Sequence, residues 1–276
     1  MCRIYKLNHP GDAAVLFAGW QETMIDSCLQ GVMGEIYVAG AEEPCATMSE
    51  DSGSATPCSA MAMLGDFCFL AGEPDMELVA YKPENCDKDF MIMVPQDSFW
   101  KVSWENLIRQ VYGDKVRQVT RYAFKKEQQI WDLAKLQEAV SGLPSEYTLH
   151  LIDGELYRKC LENDWSRDLV AQYRDYEQYQ ELGLGVAILQ GQEIVAGASS
   201  YSSYEDGIEI EIDTREDHRR KGLAYLCGAR LILECCDRNL YPSWDAQNLQ
   251  SVALAEKLGY HLDHAYTAYE VWGYGV

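Results

Sequence analysis

The segment Asp213 to Ala224, DTREDHRRKGLA, brings a ligand-binding chemistry and a base chemistry within a few residues of each other. Arg219, Arg220, Lys221 and Gly222 stand just before Tyr225 to Cys236, whose apolar pattern predicts a helix. A helix start presents unpaired N–H groups and a partial positive charge. Gly222 lets the backbone approach a ligand closely, and the three cations add mobile charge. That chemistry holds a phosphorylated ligand. Just upstream, Ile208, Ile210 and Ile212 alternate with Glu209, Glu211 and Asp213. In a strand this puts the three carboxyls on one face. Crowded carboxyls raise one another's pKa, which suits a general base near neutral pH. A solvated outer face is the other reading of the same pattern.

The elements that must position these groups come in a regular order. A strand at Tyr147 to Ile152 precedes two polar helices within Glu155 to Glu181. LGVAILQ and EIVAGASSYSS form an antiparallel hairpin around Gly191-Gln192. Then come the EIEI strand, the basic turn, the long helix to Arg238, and the short strand LYPSW. A helix opening near Asn248 and ending at Gly259 leads to a last strand, YHLDHAYTAYEVW. Two hairpin strands and two β-α-β units predict a mixed sheet with helices on both faces. Trp244-Asp245 falls at the end of the short strand, where an acceptor pocket would open.

The first half reads as an amphipathic helix over Ala13 to Leu29, with Leu16, Trp20, Met24 and Cys28 recurring every four residues. A strand comes next at Gly34 to Gly40, and Glu42 to Pro57 is a polar surface loop. AMAMLGDFCFLAG, a Glu-Pro-Asp turn and MELVAYK predict a hairpin. FMIMV (Phe90 to Val94) is a strand, Ser98 to Tyr112 a helix, VRQVTRYAF a strand and Glu127 to Val140 a helix. Ser141-Gly-Leu-Pro144 breaks that helix, which sets the expected domains at 1–140 and 141–276.

The net charge of −21 over 276 residues argues against general nucleic-acid binding and against anionic membranes. It suits an amine-bearing, cationic substrate. The N-terminus lacks the apolar core and cleavage site of an export signal, and the ten cysteines form no Cys-x-x-Cys pair. Reduced thiols in a cytoplasmic protein are expected. His261 and His264 have no companion ligands, so no metal is expected. Gly183-Leu-Gly185 has Ile188 where a dinucleotide fingerprint needs its third glycine.

Taken with the β-β-β-α-β-α-β order, Arg219, Gly222 and Ala224 resemble the pyrophosphate pattern of the GNAT superfamily of acyl-CoA-dependent N-acyltransferases. That pattern is Arg or Gln, two residues, Gly, one residue, then Gly or Ala. A second block agrees, with Asn248 at a helix start and AEKLGY (Ala255 to Tyr260) at its end. The resemblance covers about Tyr147 to Trp272. It implies an α/β (α+β) GNAT fold, a mixed, mostly antiparallel sheet flanked by helices, with acetyl-CoA as cosubstrate. Pantetheine then lies along Ile212, Asp213 and Thr214. Arg219, Arg220, Lys221, Gly222, Leu223 and Ala224 hold the phosphates, with Asn248 and Ser251 at the second helix. The general base is Glu211 or Glu209, with Glu211 preferred for its closeness to the pantetheine strand, and Asn248 acts near the sulfur.

The implied activity moves an acetyl group to a primary amine on a small molecule or peptide, such as a polyamine, aminoglycoside or lysine. Family members often protonate the departing thiolate with a tyrosine where this chain has Ala255. Tyr260, Tyr266 and Tyr269 are the substitutes on offer. That gap keeps a non-catalytic acyl-CoA-binding regulator as the alternative. The first half loosely echoes the second without its basic turn. It reads as a degenerate copy that binds no coenzyme A, in the manner of two-part bacterial GNAT acetyltransferases. The other option is an α+β module shaping the acceptor pocket or a homodimer interface.

Overall fold

The computed structural model describes residues 3–40 and 57–275, which form two compact units. The predicted loop over Glu42 to Pro57 falls almost wholly outside them. One unit comprises residues 1–120 and 267–276, the other 121–266. The expected division at 140/141 does not coincide with this. Phe124 and Leu136 lie in the core of the second unit beside Cys227 and Leu231, so the segment from 121 to 140 folds with the C-terminal half.

The first unit contains β1 (Arg3–Lys6), α1 (Thr23–Gln30), β2 (Glu35–Gly40), β3 (Ser59–Leu64), β4 (Phe67–Gly72), α2 (Met76–Ala80), β5 (Phe90–Pro95) and α3 (Lys101–Tyr112). Strands β1 to β4 are antiparallel neighbours and β5 joins β4 in parallel. The helix expected over Ala13 to Leu29 is a correction. Gly19 at φ 81° turns the chain, and only Thr23–Gln30 is α-helical, capped by Glu22. The MELVAYK strand is also corrected. Asp75 accepts a hydrogen bond from the Leu78 N–H at 2.8 Å, and this N-cap starts a helix there. The hairpin turn sits instead at Gly65-Asp66, between β3 and β4.

The chain enters the second unit within β6 (Val116–Phe124) and leaves it within β13 (Leu262–Trp272). Between them run α4 (Leu133–Ser141), β7 (Tyr147–Leu151), α5 (Gly154–Leu161), α6 (Tyr176–Leu182), β8 (Gly185–Gln190), β9 (Glu193–Tyr204), β10 (Gly207–Thr214), α7 (Leu223–Asp237), β11 (Tyr241–Ser243), β12 (Asp245–Ala246) and α8 (Leu249–Leu258). The main sheet has the order β11-β10-β9-β8-β7, antiparallel except for the parallel β10–β11 pair. A β-α-β crossover through α7 requires that parallel pair.

Helix α7 buries Leu223, Cys227, Leu231 and Cys235, one per turn, against β8, β9 and β10. Each of the two leucines contributes roughly 1.5–3 kcal/mol on leaving water. Where α7 meets α8, a Cβ at Gly228 would come within 2.8 Å of Leu258 Cδ1, so that leucine side chain would have to shift. The opposite face of the sheet is covered by the segment between α5 and α6, whose Leu169 packs over Gly197. A hydroxyl network fastens this cover. Tyr173 Oη lies 2.5 Å from Ser200 Oγ, and Tyr179 Oη lies 2.9 Å from Ser199 Oγ.

Candidate active site

Strands β10 and β11 pair at Gly207–Tyr241, Ile208–Pro242 and Glu209–Ser243, and there the ladder stops. β10 continues to Thr214 on β9 alone, while the chain after β11 turns away to pair Asp245 and Ala246 with Ala123 and Tyr122 of β6. A gap therefore opens beyond Glu209 and Ser243. Arg215 gives its N–H to Val195 of β9, so Ile212 and Thr214, at alternate positions, direct theirs to the open edge. Both N–H groups are covered by carboxylates of their own strand. Ile212 N–H donates to Glu211, and Thr214 N–H donates to Asp213 Oδ1 at 2.6 Å. An acceptor-bearing ligand can replace those two contacts.

The basic turn comes directly after. Arg220 and Gly222 take left-handed backbone conformations, φ 64° and 82°. Gly222 is the N-cap of α7 and no side chain caps that helix, so its first N–H groups are open. A Cβ at Gly222 would meet nothing within 4 Å. Arg219, Arg220 and Lys221 are exposed, with Arg219 Nε donating to the Thr214 carbonyl at 3.2 Å. Buried His218 ties the turn down. Its Nε2 lies 3.0 Å from Gln190 Oε1 and its Nδ1 2.8 Å from Asp217 Oδ1.

The donors suit a pyrophosphate and an extended amide-bearing arm. Unsatisfied N–H groups, flanking cations and an open glycine face meet the first. The unpaired edge of β10 meets the second. The buried Thr214 Oγ1, without a hydrogen-bond partner, lies at the junction of the two.

The three carboxyls do share a face, but not as a solvated one. Glu209 is 3 % exposed, and Glu211 and Asp213 are half-buried. Burial, together with the charges of Asp168 and Asp213, pushes Glu211 up to about 8. Burial also raises Asp213, against the pull of Arg219. Asp168, on the short turn Arg167–Leu169, carries no periodic signal in the sequence and was not expected here.

The second block divides. Asn248 is the N-cap of α8, its Oδ1 accepting from Gln250 and Ser251 N–H at 2.9 Å each. Ser251 Oγ accepts from Trp244 Nε1 at 3.2 Å, and Trp244 is buried. Ala255 is fully buried in the core. Of the three substitute tyrosines, Tyr260 is buried with its hydroxyl donating to Pro242 O, and its pKa is raised by that burial. Tyr269 belongs to the first unit. Tyr266 donates to Asp245 Oδ2 at 2.9 Å, on β12.

A family model described as GNAT acetyltransferase matches residues 14–269. The chain belongs to the GNAT acetyltransferase family. A GCN5-related N-acetyltransferase-like protein from Streptococcus suis 89/1591 is 49% identical. It superposes with a TM-score of 0.81, covering 96% of this GNAT chain and 98% of its own. A tandem GNAT protein from the clavulanic acid biosynthesis pathway shares the fold, with TM-score 0.54, 9% identity and 99% of both chains covered. An uncharacterized N-acetyltransferase, YdfB, of Bacillus subtilis (strain 168) is 29% identical over 173 residues, 60% of this chain. The match spans 62% of that relative's length. The α/β fold with mixed, mostly antiparallel sheets is that of the family. Among the described residues no helix is long and apolar enough to cross a membrane, and no cluster of three or more His, Cys, Asp or Glu could hold a metal. His261 instead meets Glu127, and His264 meets Asp263.

Proposed function

We propose that the chain moves the acetyl group of acetyl-CoA directly to a primary amine, and that residues 121–266 carry the reaction. The observation that bears most weight is the adjacency of the β10–β11 gap to the uncapped, cation-flanked start of α7. Acetyl-CoA supplies an activated acetyl thioester when bound. Arg219, Arg220, Lys221 and the N–H groups of Gly222, Leu223 and Ala224 hold its phosphates, and the Ile212–Thr214 edge receives its arm. Asn248, the N-cap of α8, acts near the sulfur, and Ser251 fixes the indole of Trp244.

Glu211 takes the proton that the amine must lose, and its raised pKa fits that work near neutral pH. Glu209, deeper in the same face, is the weaker candidate for the base, since its burial at the end of the β10–β11 ladder leaves little room for an amine. Asp168, Glu211 and Asp213 give the acceptor side a negative field, which favours an amine that arrives protonated on a small molecule or peptide.

The first unit serves as a degenerate copy. Its β4–β5 ladder runs to Leu70–Pro95 and is closed further by Gln96 N–H to Leu70 O at 2.9 Å and Trp104 Nε1 to Gly72 O at 3.0 Å. The helix after β4 has five residues and begins with Asp75 as its cap and Glu77 in its first turn, charges that repel phosphate. A pyrophosphate has no seat there.

Ala255 favours a second reading, a non-catalytic acyl-CoA-binding regulator. Glu211→Gln separates the two. The transferase reading expects wild-type turnover on an amine panel, and a variant that binds acetyl-CoA but has lost turnover. Absence of turnover in the wild type with tight binding supports the regulator.

A further inference from the structure

β11 and β12 are tied to the β6 segment at every second residue. Tyr241 Oη donates to Lys125 O at 3.2 Å, Lys126 Nζ donates to Ser243 Oγ at 2.5 Å, and Arg121 Nε donates to Asp245 Oδ1 at 2.7 Å. Tyr241 and Ser243 of β11 and Asp245 of β12 thus all meet residues 121–126. The last tie is the strongest by chemistry. Arg121 Nη2 also reaches Asp245 Oδ1, at 2.6 Å, and Tyr266 donates to the other carboxylate oxygen. The two charged side chains are only 13 % and 5 % exposed, so water cannot substitute for either partner.

These ties lie where the chain leaves β10. Up to Glu209–Ser243 the backbone of β11 is held by β10, and from Asp245 on it is held by β6. Trp244, buried between the two pairings with its indole N–H on Ser251, occupies the point of departure. β10 stays a strand through Thr214, but its register against β9 shifts between Glu209 and Ile210, at the same point where its pairing with β11 ends. On the other side of the parting, β12 is fastened to β6 by strand pairing and by the Arg121–Asp245 ion pair.

We propose that Arg121 is a positioning residue of the transferase site: through Asp245 it holds β12 on β6 and keeps the gap beyond Glu209 and Ser243 open for the acyl donor. The inference rests on the reading of that gap as the donor site. Arg121 touches neither substrate in this scheme. It acts by setting the distance between two strands, with Lys126 and Tyr266 as lesser ties.

The test is calorimetric titration of coenzyme A into the full chain, on variants shown to be folded by circular dichroism. Arg121→Gln is expected to weaken coenzyme A at least tenfold and to raise the KM for acetyl-CoA far more than the KM for the amine. Arg121→Lys, which keeps the charge but loses the fork, is expected to recover part of the affinity. Because a stranded buried Asp245 endangers folding, Tyr266→Phe provides a milder variant that strands no charge, with an expected loss of two- to fivefold. A folded Arg121→Gln chain within twofold of wild-type affinity overturns the proposal, as does unchanged affinity in Tyr266→Phe if Arg121→Gln does not fold. Gly222→Asp is the companion control. Loss of binding there with retention in Arg121→Gln sinks the clamp alone, whereas a wild-type chain that binds no coenzyme A removes the site and the clamp together.

Discussion

Glu209 and Ser243 are the last residues at which β10 and β11 share a ladder, and the rest of the site is arranged around that parting. On one side β10 offers the N–H groups of Ile212 and Thr214, with α7 beginning shortly beyond them, at Leu223, in an open turn. On the other, β12 is held by β6. The consequences can be measured separately.

Gly222 has a left-handed backbone and open space where a Cβ would point. Gly222→Ala should therefore cost about 1 kcal/mol of stability from backbone strain alone. Gly222→Asp should cost a similar amount, yet weaken acetyl-CoA by a factor on the order of 100, because a carboxylate beside a pyrophosphate opposes the helix-start field. Thermal melts and binding titrations check the two effects independently. Equal affinity in all three proteins would remove this turn from the site.

Glu211 should govern the acidic limb of kcat/KM, with activity rising through a pH of about 8 as the carboxyl ionises. Glu211→Gln should abolish that limb along with most of the rate. A limb that persists in the variant assigns the base to another group.

The same carboxyl has a stability signature. Its folded-state pKa lies above the value near 4.3 expected in the unfolded chain. The folded protein then binds a proton that the unfolded one has lost, so stability falls as pH rises from about 4.3 towards 8. Glu211→Gln, which mimics the protonated form, should melt close to wild type at pH 5 and above it at pH 9. The gain at pH 9 is expected to be roughly 2–4 kcal/mol.

Asn248 caps α8 through its side-chain oxygen, and its suggested part near the sulfur is separable from that. Asn248→Ala should lose about 1 kcal/mol of stability. Asn248→Asp keeps the cap and should keep the stability. A fall in turnover in the aspartate variant alone would assign the side-chain amide a role beyond capping.

Tyr260→Phe should cost about 1 kcal/mol, because the hydroxyl bonded to Pro242 O at 2.7 Å is buried. Turnover should survive. A large loss of rate at unchanged stability would restore Tyr260 as an acid.

What the sequence made legible was local. The basic turn, the alternation in β10 and the Asn248 cap each depend on residues only a few positions apart, so spacing alone places them. The helix expected over Ala13 to Leu29 failed because the four-residue recurrence of Leu16, Trp20, Met24 and Cys28 runs across a turn at Gly19 that periodicity ignores. MELVAYK misled for a similar reason, since its alternation hid the Asp75 cap that makes it a helix. Glu209 is one of three carboxyls whose alternation reads equally as a catalytic face or a solvated one. Its burial comes with its place between Ser243 of β11 and Ser202 of β9, partners far along the chain that no local pattern encodes. Asp168 and Arg121 were missed because each meets the site through the chain's return from far along the sequence, Arg121 reaching Asp245 across 124 positions.

The most direct test of the account is a calorimetric titration of the purified chain with acetyl-CoA. One site per chain, lost in Gly222→Asp, is the predicted result. No binding contradicts the donor site in the second unit, and two sites per chain contradict the closed β4–β5 ladder of the first.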